Sequence, residues 1–569
     1  MRHSLKPILL GLYLLTGLGQ YQERLAALGW GWPLLAYGVL FAALVLALWL
    51  TAAIRPPVLR WGLAVVLAGA AVFFEGYARV TASYLTYSQF VSLVYSAGFI
   101  GEALQQYGAA LIWPLGSGLL LLLGIGVAPR QPSRVPQVLA VAAPFVAVLA
   151  LSVLLFARAG AGAMGLPGLF TPLVYLNLLA YESAQASVGP RQPVTLARQG
   201  GAVGHDIVLV IDESVSGNYL DINTPGGVPS HLGQAPAGVA IFNFGYCAAI
   251  ANCSADTNVT LRFGGTREDY LRINATQPSI WQYARQAGLA TVYIDAQRTG
   301  GHLQNLMTRL ERQDIQRFIQ FDDVPVRDRD MAVARQLIDL LNDGQPQLVV
   351  INKVGAHFPV HDKYPDAFMR YRPALPRGGY AEISDTGARD GFDGRPDDWQ
   401  RYRNAYQNTL LWNVGEFFAR VFAQADLSRA VLIYTSDHGQ DLHERGNPGL
   451  DTHCGSDPMP EEGLVPLVVI QGRQLQTLDW QAALPGNKDR SSHYNIFPTL
   501  LALMGYDLAA IRPLYGKPLS EPTEDAFSFN YRFNARLGAK PLFKHIDLGQ
   551  VVTPPGPVDF TLRPSAFGD

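Results

Sequence analysis

The sequence predicts a two-part protein: an N-terminal bundle of five transmembrane helices followed by an α/β domain with a mostly parallel β-sheet. The uneven distribution of charge is the first observation behind this prediction. Residues 1–160 carry only 12 of the 90 charged side chains, whereas the other 409 residues carry 35 basic and 43 acidic ones. The second observation is that short apolar runs alternate with helical patterns beyond residue 200, an order typical of a layered α/β fold.

The composition also excludes several classes of protein. The first part is too apolar for a water-soluble fold, and the acidic second part would repel a phosphate backbone, which excludes a dedicated nucleic-acid binder. A hydrophobic content of 49% excludes intrinsic disorder. Three cysteines are too few for a disulfide framework, although Cys247 and Cys253 would close one small loop in an oxidising compartment. Three structural thiols are the equal alternative.

Five segments are apolar enough to cross a bilayer, whose hydrocarbon core of ~30 Å takes ~20 helical residues. They cover residues 7–20, 32–54, 60–78, 110–128 and 136–158. The first segment is as short as a signal peptide, but no small-residue cleavage site follows it, so we interpret it as a retained anchor. Residues 1–160 thus form the predicted transmembrane domain, and residues 161–202 form a linker along the membrane surface.

Basic residues predict the orientation in the membrane. They stand at the N-terminus and in every second loop, as Arg2, Lys6, Arg55, Arg60, Arg130 and Arg134. Positive charge in short loops marks the cytoplasmic side, and an odd number of spans then delivers residues 203–569 to the outside. We therefore expect a multi-pass protein of a bacterial inner membrane with a periplasmic C-terminal domain. The aromatic residues of the outer loop, residues 79–109, either seat the helices or contact a lipid headgroup.

The C-terminal domain alternates strand and helix patterns. Predicted buried parallel strands cover residues 206–211, 290–294, 347–352, 430–435 and 464–470. Helical patterns between and after them cover residues 278–288, 330–343, 399–424 and 494–504. In such sheets the functional residues gather beyond the carboxyl ends of the strands.

Ionisable residues follow three of the predicted strands. Glu213 comes after the first strand, and Asp437 and His438 follow the fourth. His357 lies a few residues after the third strand. Carboxylates and imidazoles together suit a divalent ion of the zinc or manganese kind. Each residue alone has a plain structural alternative, because an acidic residue after a strand is most often a helix cap or part of a solvated turn.

A hydroxyl-rich stretch between the first two predicted strands opens a helical pattern. It places Ser254 and Thr257 shortly after Cys253. A hydroxyl at a helix N-terminus lies beside free amide donors, so a phosphate or sulfate would be both attacked and bound there. The same residue types are the usual N-caps, and the stretch alone predicts capping more readily than catalysis.

The order of these motifs resembles that of the membrane-bound phosphoethanolamine transferases of the alkaline phosphatase and sulfatase superfamily. It consists of a glutamate after the first strand, Cys-x-x-x-Thr at a helix start, His-Phe-Pro, and Ser-Asp-His-Gly. The resemblance covers most of the chain and implies five N-terminal spans followed by an extracytoplasmic sulfatase-like or alkaline-phosphatase-like domain. The Phe-Pro pair after His357 is closer to the related lipoteichoic-acid type phosphoglycerol transferases.

The resemblance also implies a metal centre. Carried over onto this sequence, Zn²⁺, or alternatively Mn²⁺, is held by Glu213, Thr257, Asp437 and His438. Thr257 stands at the family's nucleophile, four residues after Cys253, and Ser254 is the competing hydroxyl.

Further residues are implied on the substrate side. The implied substrate contacts are His357, which is also the second catalytic residue, and His453. Ser254 is a further predicted substrate contact. Arg298 lies near the motif loops and is predicted to contact an anionic acceptor, with solvated surface charge as the alternative.

The family has another substrate-side histidine just before a Val-Pro pair. This chain has the pair, as Val465 and Pro466, but not the histidine. Either His453 or His443 replaces it, or the site holds one metal where others take two. The family's cysteine after the nucleophile is missing as well, which implies that any disulfide here joins Cys247 to Cys253.

The resemblance implies a function. Phosphoethanolamine is transferred from a phospholipid donor, phosphatidylethanolamine, through a phosphothreonine to a hydroxyl of an envelope glycan or lipid such as lipopolysaccharide. Phosphoglycerol transfer and phosphodiester hydrolysis use the same metal and nucleophile and stay open as alternatives. A non-catalytic, membrane-anchored binding protein is the third hypothesis, and the presence together of Glu213, Thr257, Asp437 and His438 argues against it.

Overall fold

A computed structural model of the protein describes most of the chain. The described residues are 5–28, 30–81, 84–95, 110–128, 135–158, 162–185, 191–377, 394–447, 451–455, 457–532 and 540–554. They form two compact units, one built mainly from residues 1–187 and one that begins at residue 188. Arg2, Arg130 and Arg134, on which part of the predicted orientation depends, lie outside the described residues.

The N-terminal unit is helical. Its helices are α1 (Leu5–Thr16), α2 (Leu18–Leu28), α3 (Trp32–Thr51), α4 (Pro57–Thr81), α5 (Tyr87–Tyr95), α6 (Ile112–Gly126), α7 (Gln137–Ala157) and α8 (Thr171–Gln185). In the described part of the chain, α3, α4 and α7 are long and apolar enough to cross a membrane. Helices α1 and α6 are apolar but have only 12 and 15 residues. The structure therefore does not confirm the predicted number of five spans.

Helix α6 packs closely against α1 and α4. A Cβ atom at Gly118 would lie 2.3 Å from Val72 of α4, and one at Gly124 would lie 2.6 Å from Leu10 of α1. Small residues allow the backbones of two helices to approach closely. Such close packing matters in a membrane, because lipid offers no hydrophobic driving force for the association of helices.

Basic side chains bind backbone carbonyls at one end of this helical unit. The ammonium of Lys6 donates to the carbonyl of Ile125 at 3.1 Å, and the guanidinium of Arg60 donates to that of Gly126 at 3.0 Å. Both carbonyls belong to the last turn of α6, where the helix leaves acceptors without intrahelical partners. This end is the one that the charge pattern assigns to the cytoplasm.

The predicted linker, residues 161–202, contains a helix of the N-terminal unit. Tyr175 of α8 is buried and donates its hydroxyl to the carbonyl of Leu85 at 3.2 Å. Asn177 donates to the hydroxyl of Ser152 on α7 at 3.2 Å. Within this segment, α8 is thus packed against other helices, whereas the sequence predicted only a stretch along the membrane surface.

An eight-stranded sheet forms the centre of the C-terminal unit. Its strands are β1 (Asp206–Asp212), β2 (Val239–Ala248), β3 (Ala290–Asp295), β4 (Arg317–Ile319), β5 (Gln347–Asn352), β6 (Ala430–Ser436), β7 (Leu464–Gly472) and β8 (Ser491–Ser492), in the order β4-β3-β5-β1-β6-β7-β2-β8. A separate antiparallel pair consists of β9 (Ser528–Asn530) and β10 (Phe543–His545). Neighbouring strands from β4 to β6 run parallel, which confirms the mostly parallel α/β sheet.

Two of the longer strands differ from the prediction, and the short strands β4 and β8 were not predicted. The predicted run at residues 464–470 is a strand, but as β7 it runs antiparallel to β6. Strand β2, which the sequence analysis missed, pairs antiparallel with β7. Its register shifts between Asn243 and Tyr246, where Gly245 has φ +76°. This bulge places Asn and Gly inside the strand and so interrupts the apolar run that serves as a strand signal.

Helices surround the sheet. They are α9 (Ser254–Phe263), α10 (Tyr270–Thr276), α11 (Ile280–Gln286), α12 (Arg309–Gln313), α13 (Val326–Asn342), α14 (Pro396–Leu410), α15 (Phe417–Gln424), α16 (Trp480–Asn487), α17 (Ile496–Leu503) and α18 (Leu508–Tyr515). All four predicted helical patterns are present, and the longest is divided by a π-helical segment at Leu411–Glu416. Strand and helix side chains such as Leu209, Ile433, Trp281 and Phe497 form the buried core.

The register of the central strands determines where the candidate site lies. Strands β1, β5 and β6 are fully buried. Asp212 at the end of β1 pairs with Ser436 at the end of β6. The residues that follow these two strands therefore leave the sheet side by side at the same edge.

Asp206 lies at the opposite end of β1, where burial of its carboxylate is expected to make the stability of the protein depend on pH. Burial raises the pKa of Asp206 to about 7, although the amide of Gln347 donates to its carboxylate. The folded protein therefore holds a proton that the unfolded chain releases near pH ~4, and stability falls as the pH rises toward 7. We expect Asp206→Asn, which keeps the acceptor for Gln347, to raise the Tm at pH 8 by about 2 °C or more and at pH 5 by less.

Thermal unfolding of the full-length protein in detergent at the two pH values measures this effect. An Asp206→Asn variant that changes the Tm equally at pH 5 and pH 8 would show that the buried charge of Asp206 does not penalise folding.

Candidate metal centre and nucleophile

Glu213, Asp437 and His438 form a buried cluster where β1 and β6 end. One nitrogen or oxygen atom of each residue lies within 4.8 Å of the others. All three side chains are fully buried. The structure thus brings together three of the four metal ligands that the sequence analysis named.

Hydrogen bonds to the backbone orient His438 and Asp437. The Nδ1 atom of His438 donates to the carbonyl of Gly439 at 2.7 Å, so Nε2 is the acceptor of the neutral ring and lies 3.2 Å from Oε1 of Glu213. Oδ1 of Asp437 accepts from the amides of Ser214 at 3.0 Å and His438 at 2.7 Å. Oδ2 of Asp437 has no hydrogen-bond partner although it is buried.

Burial and mutual repulsion set the protonation of the cluster. Burial, with the charge of Glu213, raises the pKa of Asp437 well above its usual range. Burial opposes the charge of His438 too, but Asp437 and Glu213 outweigh it and raise the His438 pKa to about 9. Burial alone would raise the pKa of Glu213, but the hydrogen bond and charge of His438 hold it well below its usual range. The cluster therefore requires positive charge from a proton or a cation.

The donor atoms of the cluster fit a divalent cation. Two carboxylates and an imidazole nitrogen are a ligand set that zinc takes, with the backbone-bonded Nδ1 fixing the tautomer that presents Nε2. The unpartnered Oδ2 atom of Asp437 is a buried acceptor, which is costly unless a donor or a cation meets it.

Ser254 is the hydroxyl residue that contacts this cluster. Its Oγ atom lies 3.0 and 3.2 Å from the two carboxylate oxygens of Glu213 and 3.2 Å from Nε2 of His438. Ser254 is the first residue of α9, after the N-cap Cys253, so the free amides of the helix start lie beside it. Unlike the three cluster residues, it is partly exposed and therefore within reach of a substrate.

Thr257, the nucleophile and fourth ligand that the sequence predicts, bonds the backbone, and of the two candidate hydroxyls it is that of Ser254 which contacts the cluster. Its Oγ1 atom accepts from the amide of Ala251 at 3.2 Å and donates to the carbonyl of the same residue at 3.3 Å. Helix α9 begins three residues before Thr257, which therefore lies about one helical turn beyond Ser254. We therefore take Ser254 as the hydroxyl to propose as nucleophile, because its Oγ atom contacts the cluster.

Two predicted substrate-side histidines lie beside the cluster. The charge of His357 acts on Glu213, and its Nδ1 atom donates to the carbonyl of Phe358 at 2.7 Å. The ring of His453 stacks on that of His438, with 4.5 Å between the ring centroids. His443, the other proposed replacement, instead stacks on Trp399 with a centroid distance of 3.9 Å.

The loop that carries His357 packs directly on the backbone of Glu213. The amide of Ala356 donates to the Glu213 carbonyl at 2.8 Å. Gly355 has φ +54°, and a Cβ atom there would lie 2.5 Å from that carbonyl oxygen. Only glycine allows this approach, so Gly355 is required to hold the loop against the cluster.

The sequence analysis missed two residues that hold Glu213. Gln297 donates its side-chain amide to Oε2 of Glu213 at 3.0 Å and to the carbonyl of Lys353 at 2.8 Å. Ser214, with φ +62°, donates its hydroxyl to Oε1 of Glu213 at 3.0 Å. The sequence analysis named Arg298 rather than its neighbour Gln297. The backbone amide of Arg298 donates to the carboxylate of Asp295 at 3.3 Å. Gln297 follows β3 as Glu213 follows β1, and this position was the available signal.

A disulfide bond joins the two halves of the site. Cys253 pairs with Cys454, 201 residues later, and the amide of Cys454 donates to the carbonyl of Asn252 at 3.0 Å. Cys247 is free and buried in β2, so the predicted pairing of Cys247 with Cys253 is wrong. The partner lies in a distant segment of the chain, which no local spacing indicates. The bond fixes the residue before Ser254 to the residue after His453.

Comparison with known proteins identifies similar sequences. Residues 205–506 match the family model described as Sulfatase. Phosphoethanolamine transferase EptC of Escherichia coli (strain K12) is 27% identical over 177 residues, which are 30% of this chain and 28% of that protein. Kdo(2)-lipid A phosphoethanolamine 7''-transferase of Salmonella typhimurium is 22% identical over 170 residues, or 28% of this chain and 26% of that protein. The alignments thus span less than a third of these curated relatives.

A solved structure is similar over most of the chain. The integral membrane protein lipooligosaccharide phosphoethanolamine transferase A (EptA) from Neisseria meningitidis matches with a TM-score of 0.62. The match covers 88% of this chain and 95% of that one at 17% identity. At this identity the similarity shows a common fold.

Proposed function

The chain belongs to the sulfatase family and is homologous to phosphoethanolamine transferases, and from this premise we propose that it transfers phosphoethanolamine from phosphatidylethanolamine to a hydroxyl of an envelope lipid or glycan. One observation carries the proposal. The hydroxyl of Ser254 contacts both Glu213 and His438, next to a buried carboxylate oxygen of Asp437 that has no partner. This arrangement suits a serine nucleophile beside a bound cation.

Ser254 begins the reaction as the nucleophile. Its Oγ atom attacks the phosphorus of the donor phosphodiester, and its proton leaves along the existing hydrogen bond to Glu213. The bond between phosphorus and the glycerol oxygen breaks, and His357 gives a proton to that oxygen so that diacylglycerol leaves. Phosphoethanolamine is then esterified to Ser254.

Zinc is the proposed cation of the cluster. When bound, it lowers the pKa of a nearby hydroxyl and offsets the negative charge that develops on the phosphoryl oxygens. The protein holds the ligand atoms in place. Gln297 and Ser214 donate to Glu213, and the amides of Ser214 and His438 donate to Asp437. Such outer hydrogen bonds keep the oxygens directed at one point.

The second step transfers the group to the acceptor. The acceptor hydroxyl attacks the phosphorus and gives its proton to His357, the bond to Oγ of Ser254 breaks, and Glu213 returns its proton to Ser254. The two steps form a substituted-enzyme exchange. Relatives named for lipid A and for lipooligosaccharide support a lipid acceptor of the cell envelope.

The proposed location is the inner membrane, with the catalytic unit in the periplasm. The disulfide between Cys253 and Cys454 supports an oxidising compartment for that unit. Lys6 and Arg60, at one end of the helical unit, support a cytoplasmic position for that end.

The intact mass of the protein tests the proposed function. Full-length protein is incubated with phosphatidylethanolamine in nanodiscs without acceptor, and we expect the mass of one phosphoethanolamine group to be added to Ser254. The Ser254→Ala variant should gain no mass. An adduct formed only from phosphatidylglycerol would indicate phosphoglycerol transfer instead, and rapid release of free phosphoethanolamine would indicate hydrolysis. The absence of adduct and product with either lipid would refute the proposal.

A further inference from the structure

Two buried side chains hold the loop that leads from β5 to His357. The carboxylate of Asp330, on α13, accepts from the backbone amide of Val354 at 2.8 Å and from that of Gly355 at 2.9 Å, one on each oxygen. Asn413 donates its side-chain amide to the carbonyl of Gly355 at 2.6 Å. Both Asp330 and Asn413 are buried. Side chains from two separate helical segments thus fix the backbone on both sides of Gly355.

The same loop is bonded to Glu213 from the other side. The amide of Ala356 donates to the Glu213 carbonyl at 2.8 Å, and the amide of His357 donates to the carbonyl of Val354 at 3.2 Å. The residues before His357 are therefore held between the end of β1 and the two buried side chains. A change on either side of this loop would alter the position of the His357 imidazole relative to the cluster.

Buried lysines offset the charge of Asp330. The ammonium of Lys353 lies 3.8 Å from the carboxylate of Asp330 and 3.0 Å from that of Asp212. Lys363, which is also buried, donates to the carbonyl of His357. A carboxylate that is closed to water is costly unless such charges and hydrogen bonds meet it. The surroundings of Asp330 therefore match a carboxylate whose two oxygens are both directed at the loop.

Asn413 lies in the π-helical segment Leu411–Glu416, between α14 and α15. Its backbone carbonyl accepts from the ammonium of Lys353, while its side chain bonds the loop. Turns of π-helix are rare overall and are frequent at functional sites. The irregular turn thus places one residue in contact with both the buried lysine and the loop of His357.

We propose that Asp330 and Asn413 are positioning residues that hold His357 where it gives a proton to the leaving oxygen of the donor lipid. Their side chains bond the backbone of the loop, so they act through His357. A displacement of about 1 Å lowers a rate about a hundredfold when it misplaces a catalytic group. The role of His357 as proton donor rests on the proposed function, whereas the hold on the loop rests on the hydrogen bonds of Asp330 and Asn413.

Two substitutions weaken this hold in different ways. Asp330→Asn keeps an oxygen for one loop amide but turns an NH2 group toward the other. Asn413→Leu removes the donor to the loop carbonyl and leaves the charges of the site unchanged, so it tests the proposal even if Asp330→Asn fails to fold. The matched controls are Asp339→Asn, at an exposed position of α13, and Asn404→Leu, which removes a bond of 2.7 Å to the carbonyl of Pro373.

Hydrogen exchange of the full-length protein in detergent, followed by mass spectrometry, measures the hold on the loop. In the peptide that contains residues 353–358, we expect both variants to exchange about tenfold faster than the wild type, because bonds to the loop backbone are lost. Both controls should exchange at the wild-type rate in this peptide. Unchanged exchange in Asp330→Asn and Asn413→Leu would overturn the proposal, whether or not the protein is a transferase.

The choice of leaving group tests whether the loop acts through His357. A 4-nitrophenolate leaves without a proton at neutral pH, whereas the glycerol oxygen of a lipid needs one. Adduct formation on Ser254 is timed in a single turnover, with phosphatidylethanolamine and with the 4-nitrophenyl ester of phosphoethanolamine. Asp330→Asn and Asn413→Leu should slow the lipid reaction about tenfold or more and the ester reaction by less than about twofold. A general defect of the site would slow both reactions alike.

His357→Ala separates this inference from the proposed reaction. It should slow the lipid reaction about a hundredfold or more and the ester reaction much less. If His357→Ala slows both reactions equally, the proton-donor step of the proposed function is wrong, and hydrogen exchange alone decides whether Asp330 and Asn413 hold the loop. If His357→Ala shows the expected difference but Asp330→Asn and Asn413→Leu slow both reactions equally, or neither, the positioning role is overturned.

Discussion

Ser254→Ala is expected to abolish phosphoethanolamine transfer, with kcat reduced about a thousandfold or more, because no other hydroxyl in the described structure contacts both Glu213 and His438. Thr257→Ser is expected to keep nearly full activity, since a hydroxyl remains to bond the backbone of Ala251. Transfer of labelled phosphoethanolamine from lipid to a lipid A acceptor measures both variants.

A third variant separates stability from catalysis at this helix. Thr257→Val leaves the Ala251 amide without its acceptor and is expected to cost about 1–3 kcal/mol of folding free energy. Its kcat should nevertheless stay within a few-fold of the wild-type value at a temperature where the protein is folded. An inactive, folded Thr257→Val protein together with an active Ser254→Ala protein would return the nucleophile to Thr257.

The second large effect is expected on removal of the cation. Purified full-length protein should contain about one zinc ion per chain, as a set of two carboxylates and an imidazole predicts. Asp437→Asn should lower zinc affinity about a hundredfold or more and abolish transfer. The substitution keeps the oxygen that accepts from Ser214 and His438 but places an amide group where Oδ2 now lacks a partner.

Elemental analysis and transfer activity, before and after chelation, provide the measurements. Asp206→Asn is the matched control, because it changes a buried aspartate at the other end of the β1–β6 strand pair and should retain its zinc. Activity of the chelated protein should return with Zn²⁺. An Asp437→Asn protein that retains both zinc and activity would contradict the assignment of the cluster.

Much of the fold could be predicted because parallel strands are buried on both faces. Strands β1, β3, β5 and β6 therefore appear in the sequence as continuous apolar runs, and they were predicted as such. An apolar run carries no information about strand direction. For this reason β7 was predicted to be parallel, although it runs antiparallel to β6. Strand β2 was missed because Asn243 and Gly245 occupy its bulge.

The membrane part was predicted less completely. Apolar composition located the helices, but it does not determine where a helix ends. Helix α1 ends at Thr16, with Gly17 as a turn before α2, and so is shorter than the predicted span. Helix α4 differs in the other direction, because it extends beyond its predicted span of residues 60–78 at both ends.

The candidate site could be predicted where the topology of the sheet determines it. Glu213, Asp437 and His438 follow neighbouring parallel strands and must meet at one edge. Ser254 and Thr257 differ by about one helical turn, and a count from Cys253 cannot locate a helix start. Gln297 also follows a strand, β3, but it carries no charge, so the search for ionisable residues passed over it although its amide binds Glu213.

The bond between Cys253 and Cys454 has a consequence for when the enzyme becomes competent. Strands β3, β5 and β6 all lie between the two cysteines in the chain, so every segment of the sheet edge must be synthesised before the thiols meet. In the cytosol, glutathione and thioredoxin keep such thiols reduced, so the disulfide does not form there. We therefore expect the start of α9 and the segment of His453 to be linked only where these thiols are oxidised, which the proposed location places outside the cytoplasm.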